Sequence, residues 1–199
     1  MAEIGTSAID ASDIPNGFGE LIPDPQGILD LPKGLVYQAI SKTGDEMDDG
    51  FLVPSKHDGM AAFPGPDGTT ILGRNHERNV EASRDTGPFG GENERFGKVN
   101  SPFTGGTTTL VYDTRSRSLK KHFLSLIGTI RNCAGGPTPW NSWISCEEPV
   151  LRTRPKALRA GDEALKDHGY NFEVPATDQI GLTMPVPLKA WAEEVGAGE

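Results

Sequence analysis

Hydrophobic and polar residues follow one another in short runs along this chain, with turn-forming residues between the runs. Short runs rich in β-branched and aromatic side chains are typical of β-strands. The densest run covers residues 107–112, and the turn at 113–117 leads into a predicted partner strand at 119–127. Two further runs, 60–63 and 69–74, flank the sequence PGPDG and predict a β-hairpin.

The remaining segments extend the same picture. Further strands are predicted at residues 35–40, 143–146 and 169–174. A long loop is predicted at 78–106, a helix or mobile insertion at 151–167, and one short helix at 187–195. Short strands arriving in hairpins predict an all-β fold, either a sandwich or a propeller. The sequence shows no strict internal repeat, so the pattern by itself does not choose between these two architectures.

Composition supports this turn-rich picture. The 199 residues include 25 glycines and 16 prolines, and only 35% are hydrophobic. Residues 1–33 carry several prolines and are interpreted as an extended lead-in. Residues 34–199 are interpreted as one domain, since the length favours a single domain.

The formal net charge of −9 argues against nucleic acid as a partner, because phosphate binding requires clustered lysine and arginine. The acidity has two interpretations: it aids solubility, or some carboxylates hold hard cations. No run approaches the roughly 20 apolar residues of a membrane span, so no membrane partner is expected. The first residues carry neither a signal peptide nor twin arginines, so the chain as written is expected in the cytoplasm.

Both cysteines of the chain lie in the segment TIRNCAGGPTPWNSWISCEEP. Glycines after Cys133 would permit positive φ angles and expose amides, and Arg131 would favour the thiolate that binds metal or attacks a substrate. The alternatives are a small buried thiol and, in an exported protein, a disulfide with Cys146.

The acidic pair Glu147 and Glu148 follows the second cysteine. On a strand these side chains point to opposite faces, so both reach one site only where the chain bends, as Pro149 suggests. A divalent cation would keep two adjacent carboxylates ionised. The alternative is two solvated surface glutamates.

A second candidate is the tetrapeptide Arg74-Asn75-His76-Glu77, which ends the predicted hairpin. It offers an amide, an imidazole and a carboxylate within a few residues, but it lacks the helical spacing of HExxH zinc sites. A hydrogen-bonded turn is the alternative interpretation. The sequence contains no G-x-S-x-G nucleophile elbow and no phosphate-binding loop.

Five motifs in order resemble the PhoX-type alkaline phosphatases, which are bacterial phosphomonoesterases. The motifs are HDGMAAFPGPDG, ILGRNHE, GGTTTLVYD, LIGTIRNCAGGPTPWNSWISCEE and HGYNFEVP, and the resemblance runs from about residue 17 to about 189. It implies a β-propeller, of which this chain would be the N-terminal blades. It also implies a centre of Fe³⁺ and Ca²⁺ that hydrolyses a small phosphate ester.

The resemblance also assigns the candidate site. Cys133 would be the thiolate that bridges the irons, and the two glutamates after Cys146 would be acidic ligands of calcium. The metal-ligand candidates from the resemblance are Cys133, Glu147 and Glu148. The resemblance does not fix the roles of the other candidates, which are Glu77 as a further metal ligand, Arg131 and Asn132 as catalytic residues, and Asn75 as the substrate contact.

Two departures from the family qualify this assignment. Relatives are exported, so the resemblance implies a periplasmic or secreted protein, yet this chain shows no export signal. Relatives also extend for about the same length beyond the end of this sequence, so the chain is expected to be incomplete. Loss of activity in this incomplete form is one expectation. A second chain or a missing C-terminal half would then complete the propeller.

Two other functions compete with the phosphatase. One is a non-catalytic propeller remnant that binds calcium or a phosphorylated ligand. The other is a redox-active or nucleophilic thiol at Cys133 that acts without metal.

Overall fold

The computed structural model describes residues 19–79, 103–151 and 167–188, which form an all-β protein without α-helices in these ranges. The chain divides into two compact units, residues 1–39 and 40–199. The predicted all-β class is confirmed. The described residues form nine strands: β1 (Leu21–Ile22), β2 (Leu31–Pro32), β3 (His57–Pro64), β4 (Thr69–His76), β5 (Gly105–Asp113), β6 (Ser118–Thr129), β7 (Asn132–Pro137), β8 (Ser142–Glu147) and β9 (Asn171–Pro175).

Strands β1 and β2 pair with each other in the first unit, and the other seven form two antiparallel sheets in the second. Strands β3 to β6 form a four-stranded meander in chain order, the arrangement of a propeller blade. Strands β7, β8 and β9 form a three-stranded sheet, also in chain order. A partial propeller is consistent with these two sheets.

One hydrophobic cluster joins the two sheets. Trp143 on β8 is 4% exposed and packs with residues of the four-stranded sheet, among them Phe63 and Phe123. Gly73 on β4 lies beside the indole, and a Cβ there would be in ordinary van der Waals contact with Trp143, 3.5 Å from its Cγ. Each large apolar side chain in such a cluster contributes roughly 1.5–3 kcal/mol.

The segment before β3 covers part of β6. Met47, Phe51 and Val53 bury their side chains against Leu124 and Ile127. Two carboxylates of the same segment bond β6, which is the last strand of its sheet. The main-chain N–H groups of His122 and Leu124 donate to the carboxylates of Asp48 and Asp49, both at 2.6 Å. The two aspartates therefore accept hydrogen bonds from main-chain N–H groups of β6 that are not paired with another strand.

Most predicted strands are confirmed, one predicted strand is wrong, and one observed strand was not predicted. Residues 35–40 form no strand, and their apolar Leu35 and Val36 are 50% and 89% exposed. The segment NCAGGP, for which no strand was predicted, is strand β7. The predicted segments at 151–167 and 187–195 fall mainly outside the described residues, as does most of the loop at 78–106. The domain boundary at 33/34 remains a prediction. Within the described ranges no helix is long and apolar enough to cross a membrane.

Candidate functional site

The β7–β8 hairpin brings the two halves of the cysteine-containing segment together. Asn132 pairs with Glu147, and Gly135 pairs with Ser145. Three steps on β7 oppose two on β8, so one extra residue forms a bulge at Cys133 and Ala134. Residues 131–133 and 146–148 therefore lie at the same end of the hairpin.

Arg131 is the charged centre of this end. Its Nη2 donates to Oε1 of Glu77 at 3.1 Å and also pairs with the carboxylate of Glu148. Its main-chain oxygen accepts from the N–H of Glu148 at 3.1 Å, and its φ of 48° is left-handed. The guanidinium is 37% exposed, so these ion pairs are screened by water and each contributes little to stability.

Glu147 lies in a different environment from its neighbour Glu148. Its side chain is fully buried, and each carboxylate oxygen accepts two hydrogen bonds. The donors are the N–H of Ile130 (3.0 Å), Nδ1 of His168 (2.7 Å), the N–H of Gly169 (2.7 Å) and the N–H of Tyr170 (3.1 Å). Such a carboxylate holds β6, β8 and the start of β9 together.

The amide of Asn75 connects β4 to the hairpin and is completely buried. Its Nδ2 donates to the main-chain oxygens of Cys133 (3.0 Å) and Ala134 (2.9 Å). Its Oδ1 accepts from Nε1 of Trp143 and from Oγ of Ser145, both at 2.8 Å. All four hydrogen-bonding positions of this amide are thus used, and the bulge that carries Cys133 is fixed by it.

Asn132 extends the same buried network. Its Oδ1 accepts from Oγ1 of Thr129 at 2.5 Å, and its Nδ2 donates to Oγ of Ser145 at 2.8 Å. Because Ser145 in turn donates to Asn75, the two asparagines are linked through one hydroxyl. In this arrangement both asparagine side chains are structural. The catalytic role predicted for Asn132 and the substrate contact predicted for Asn75 remain predictions.

The two cysteines are free thiols, each partly buried, on neighbouring strands. Burial, and secondarily the nearby Cys133, raise the pKa of the Cys146 thiol. Cys146 is therefore held as the neutral thiol, which is the weaker nucleophile and metal ligand.

The glycines after Cys133 play a different role from the one expected. Neither Gly135 nor Gly136 has a positive φ. A Cβ on Gly135 would collide with the oxygen of Ile144 and lie 2.8 Å from Cε2 of Trp143. Gly135 is thus required because the Trp143 indole packs directly against the main chain.

These residues do not, as arranged, fit a metal cluster. Within the described ranges no three histidine, cysteine, aspartate or glutamate side chains converge on one point. Glu77 and Glu148 are directed at a guanidinium, and both oxygens of Glu147 already accept two hydrogen bonds. The predicted ligand roles of these glutamates and of Cys133 remain predictions.

Sequence reasoning missed His168, which showed no partner pattern. It is 4% exposed and is one of the donors to Glu147. The signal was the motif HGYNFEVP, whose first three residues supply three of the four donors to that carboxylate.

The comparisons with known proteins agree with the motifs at this site. Residues 16–191 match the model of one family, described as alkaline phosphatase PhoX. No curated protein and no solved structure matches the chain.

Proposed function

The chain belongs to the PhoX family of alkaline phosphatases, and from this premise we propose that it hydrolyses small phosphate monoesters at the end of the β7–β8 hairpin. The family match covers nearly the whole chain, including every motif that carries a candidate residue. The main support for this proposal is that Arg131 contacts both Glu77 and Glu148. Cys133 follows Arg131 by two residues, on strand β7.

Arg131 is the phosphate-binding group in this proposal. Its Nε and Nη2 atoms face Glu77 and Glu148, and among the described residues Nη1 has no partner. An N–H donor on this cation suits an oxygen of a phosphate group. In the observed arrangement the two carboxylates hold the guanidinium in place.

Fe³⁺ and Ca²⁺ belong to the same proposal. When bound, such cations would neutralise phosphate oxygens and stabilise the charge of the transition state. The donors that this chain would offer are the carboxylates of Glu77 and Glu148 and the thiol of Cys133. In the observed arrangement Arg131 is paired with both carboxylates, so cation binding requires those pairs to open.

Arg131→Met tests the proposed role of the guanidinium. It keeps much of the side-chain length and removes the charge, so hydrolysis of p-nitrophenyl phosphate should fall about 100-fold. Arg115→Met is the matched control, because Arg115 is exposed on a turn of the other sheet. Equal activity of the two variants would contradict the role given to Arg131.

One observation favours the non-catalytic alternative, a remnant that binds calcium or a phosphorylated ligand. The carboxylates at the hairpin end are engaged by Arg131 and by main-chain donors. Calorimetry that detects calcium binding by the full chain, together with no turnover, would select this alternative.

A further inference from the structure

Cys133 and Cys146 lie opposite each other in the β7–β8 hairpin. The pairing on either side of the bulge leaves Cys146 of β8 facing the two bulged residues of β7, Cys133 and Ala134. The Cα atoms of directly opposed residues on antiparallel strands lie roughly 4.5–5.5 Å apart. A disulfide requires a Cα–Cα distance of roughly 4.4–6.8 Å, so the spacing of these two strands suits one.

The two cysteine side chains also lie on the same face of the hairpin. Ser145 and Glu147 on β8 are buried, and because side chains alternate along a strand, Cys146 between them points to the other face. On β7 the amide of Asn132 bonds the hydroxyl of Ser145, so Asn132 lies on the buried face. Its neighbour Cys133 therefore points to the same face as Cys146.

The main chain that carries Cys133 is held in place on the opposite side. Nδ2 of Asn75 donates to the main-chain oxygens of Cys133 and Ala134, at 3.0 and 2.9 Å. Strand β3 packs against the same carbonyl, since a Cβ on Gly59 would lie 2.5 Å from the oxygen of Cys133. Both cysteines are free and only partly buried, so a small reagent can reach the thiols. A thiol held opposite a second thiol favours an intramolecular bond over a second mixed disulfide.

We propose that Cys133 and Cys146 form a redox-active dithiol, which a low-molecular-weight disulfide such as oxidised glutathione converts to an intramolecular disulfide. One cysteine of the pair, as its thiolate, attacks the reagent, forms a mixed disulfide and releases one reduced glutathione. The other cysteine then attacks the protein sulfur of that mixed disulfide and releases the second reduced glutathione. The chain loses two electrons and two protons, which leave in the two glutathione thiols.

The same disulfide would control the hydrolysis proposed above. That proposal uses the sulfur of Cys133 as a metal ligand, and a sulfur bonded to another sulfur is no longer a thiolate. Oxidation would therefore remove this ligand, and reduction would restore it. This consequence rests on the proposed function, whereas formation of the disulfide does not.

The test is to equilibrate the reduced full chain with mixtures of reduced and oxidised glutathione in the presence of EDTA, and to count free thiols. The chelator prevents metal ions from blocking the thiols. The unmodified chain should pass from two free thiols to none without retaining glutathione, and dithiothreitol should restore both. Peptide mapping by mass spectrometry should place the new bond between Cys133 and Cys146. Cys133→Ser and Cys146→Ser should each retain glutathione as a mixed disulfide instead.

A comparison with the unfolded chain shows whether the folded hairpin creates this pair. The titration gives the effective concentration of one thiol toward the other. In urea that unfolds the chain this value should be at least about tenfold lower, because the unfolded segment must first close a loop. This comparison uses only the unmodified chain, so it does not depend on how a variant folds.

A matched variant tests the strand register. Cys133→Ser combined with Gly136→Cys keeps two thiols on one face, but Gly136 pairs with Ile144 and is therefore a diagonal neighbour of Cys146. A Cβ at Gly136 meets no atom within 4 Å, so the new side chain has space. Diagonal neighbours lie roughly 7–8 Å apart, which is too far for a disulfide without movement of the main chain. The effective concentration in this variant should be at least about tenfold lower than in the unmodified chain.

Three results would overturn the proposal. They are glutathione retained on both cysteines without an internal bond, an effective concentration no higher in the folded than in the unfolded chain, and an equal value in the register variant. None of these readouts requires turnover, so an inactive chain would not affect the outcome. Undiminished hydrolysis by the fully oxidised chain would instead contradict the ligand role given to Cys133.

Discussion

Glu147 and Glu148 are consecutive in the chain, yet the carboxylate of Glu147 is buried and that of Glu148 is exposed to solvent. The Glu147 side chain has no exposed surface and accepts four hydrogen bonds, whereas that of Glu148 is 48% exposed and pairs with Arg131. The end of strand β8 produces this difference by directing the two side chains to opposite sides. The acidic pair is thus one structural anchor and one accessible ligand candidate.

The first prediction compares these neighbours by amide substitution. Glu147→Gln would replace one acceptor oxygen by an NH₂ group that faces two donors, so the free energy of unfolding should fall by about 2–4 kcal/mol. Glu148→Gln should change it by less than about 1 kcal/mol. Urea denaturation measures both values. Similar losses in the two variants would be inconsistent with the environments described.

The second prediction concerns the glycine pair after Cys133. Gly135→Ala would place a methyl group against the indole of Trp143 and the oxygen of Ile144, costing about 1–3 kcal/mol or more. At Gly136 a methyl group meets no atom within 4 Å, and its φ is not positive. Gly136→Ala should therefore be neutral or stabilise by up to about 1 kcal/mol. Thermal unfolding of the two variants checks this, and a reversed order would refute the packing.

The third prediction is a loss of stability in mild acid. The pKa of His122 is lowered by burial and by Arg74 from 6.5 to about 4, and that of His76 is lowered well below 6.5 for the same reasons. Between these values the unfolded chain binds more protons than the folded chain. The stabilising contribution is therefore complete above pH 6.5 and is lost as pH falls toward 4.

His122→Asn removes one of these two titrating groups. Its curve of unfolding free energy against pH should be flatter between pH 6 and 4, by up to about 1.4 kcal/mol per pH unit. Denaturation series at several pH values provide the slope. An unchanged slope in this variant would mean that His122 titrates normally in the folded protein.

The fold could be predicted from the sequence at positions where the side chains strongly prefer β-strands. Residues 107–112, with three threonines and a valine, form part of β5 as predicted. Strand β7 was missed because Gly135 and Pro137 are typical of loops, and its pairing depends on Trp143, which lies outside the segment. Residues 35–40 have the composition of a strand but no described neighbour pairs with them.

Only part of the candidate site could be predicted from the sequence, because its contacts also depend on residues distant in the chain. That Cys133 and Glu147 approach each other follows from a short hairpin. The pairing of Arg131 with Glu77 joins residues 54 positions apart, and only the tertiary structure brings them together. Likewise, nothing local in the sequence CEE distinguishes Glu147 from Glu148, because the buried environment comes from His168 and the residues after it.

The most direct test of the proposed hydrolase is the kcat/KM for p-nitrophenyl phosphate, measured on the full chain supplied with Ca²⁺ and Fe³⁺. Cys133→Ser and Cys146→Ser form a matched pair, since both thiols are partly buried on neighbouring strands. The account predicts turnover by the unmodified chain, activity within about twofold in Cys146→Ser, and a loss of at least about 100-fold in Cys133→Ser. No turnover by the unmodified chain, or the same activity in both variants, would contradict it.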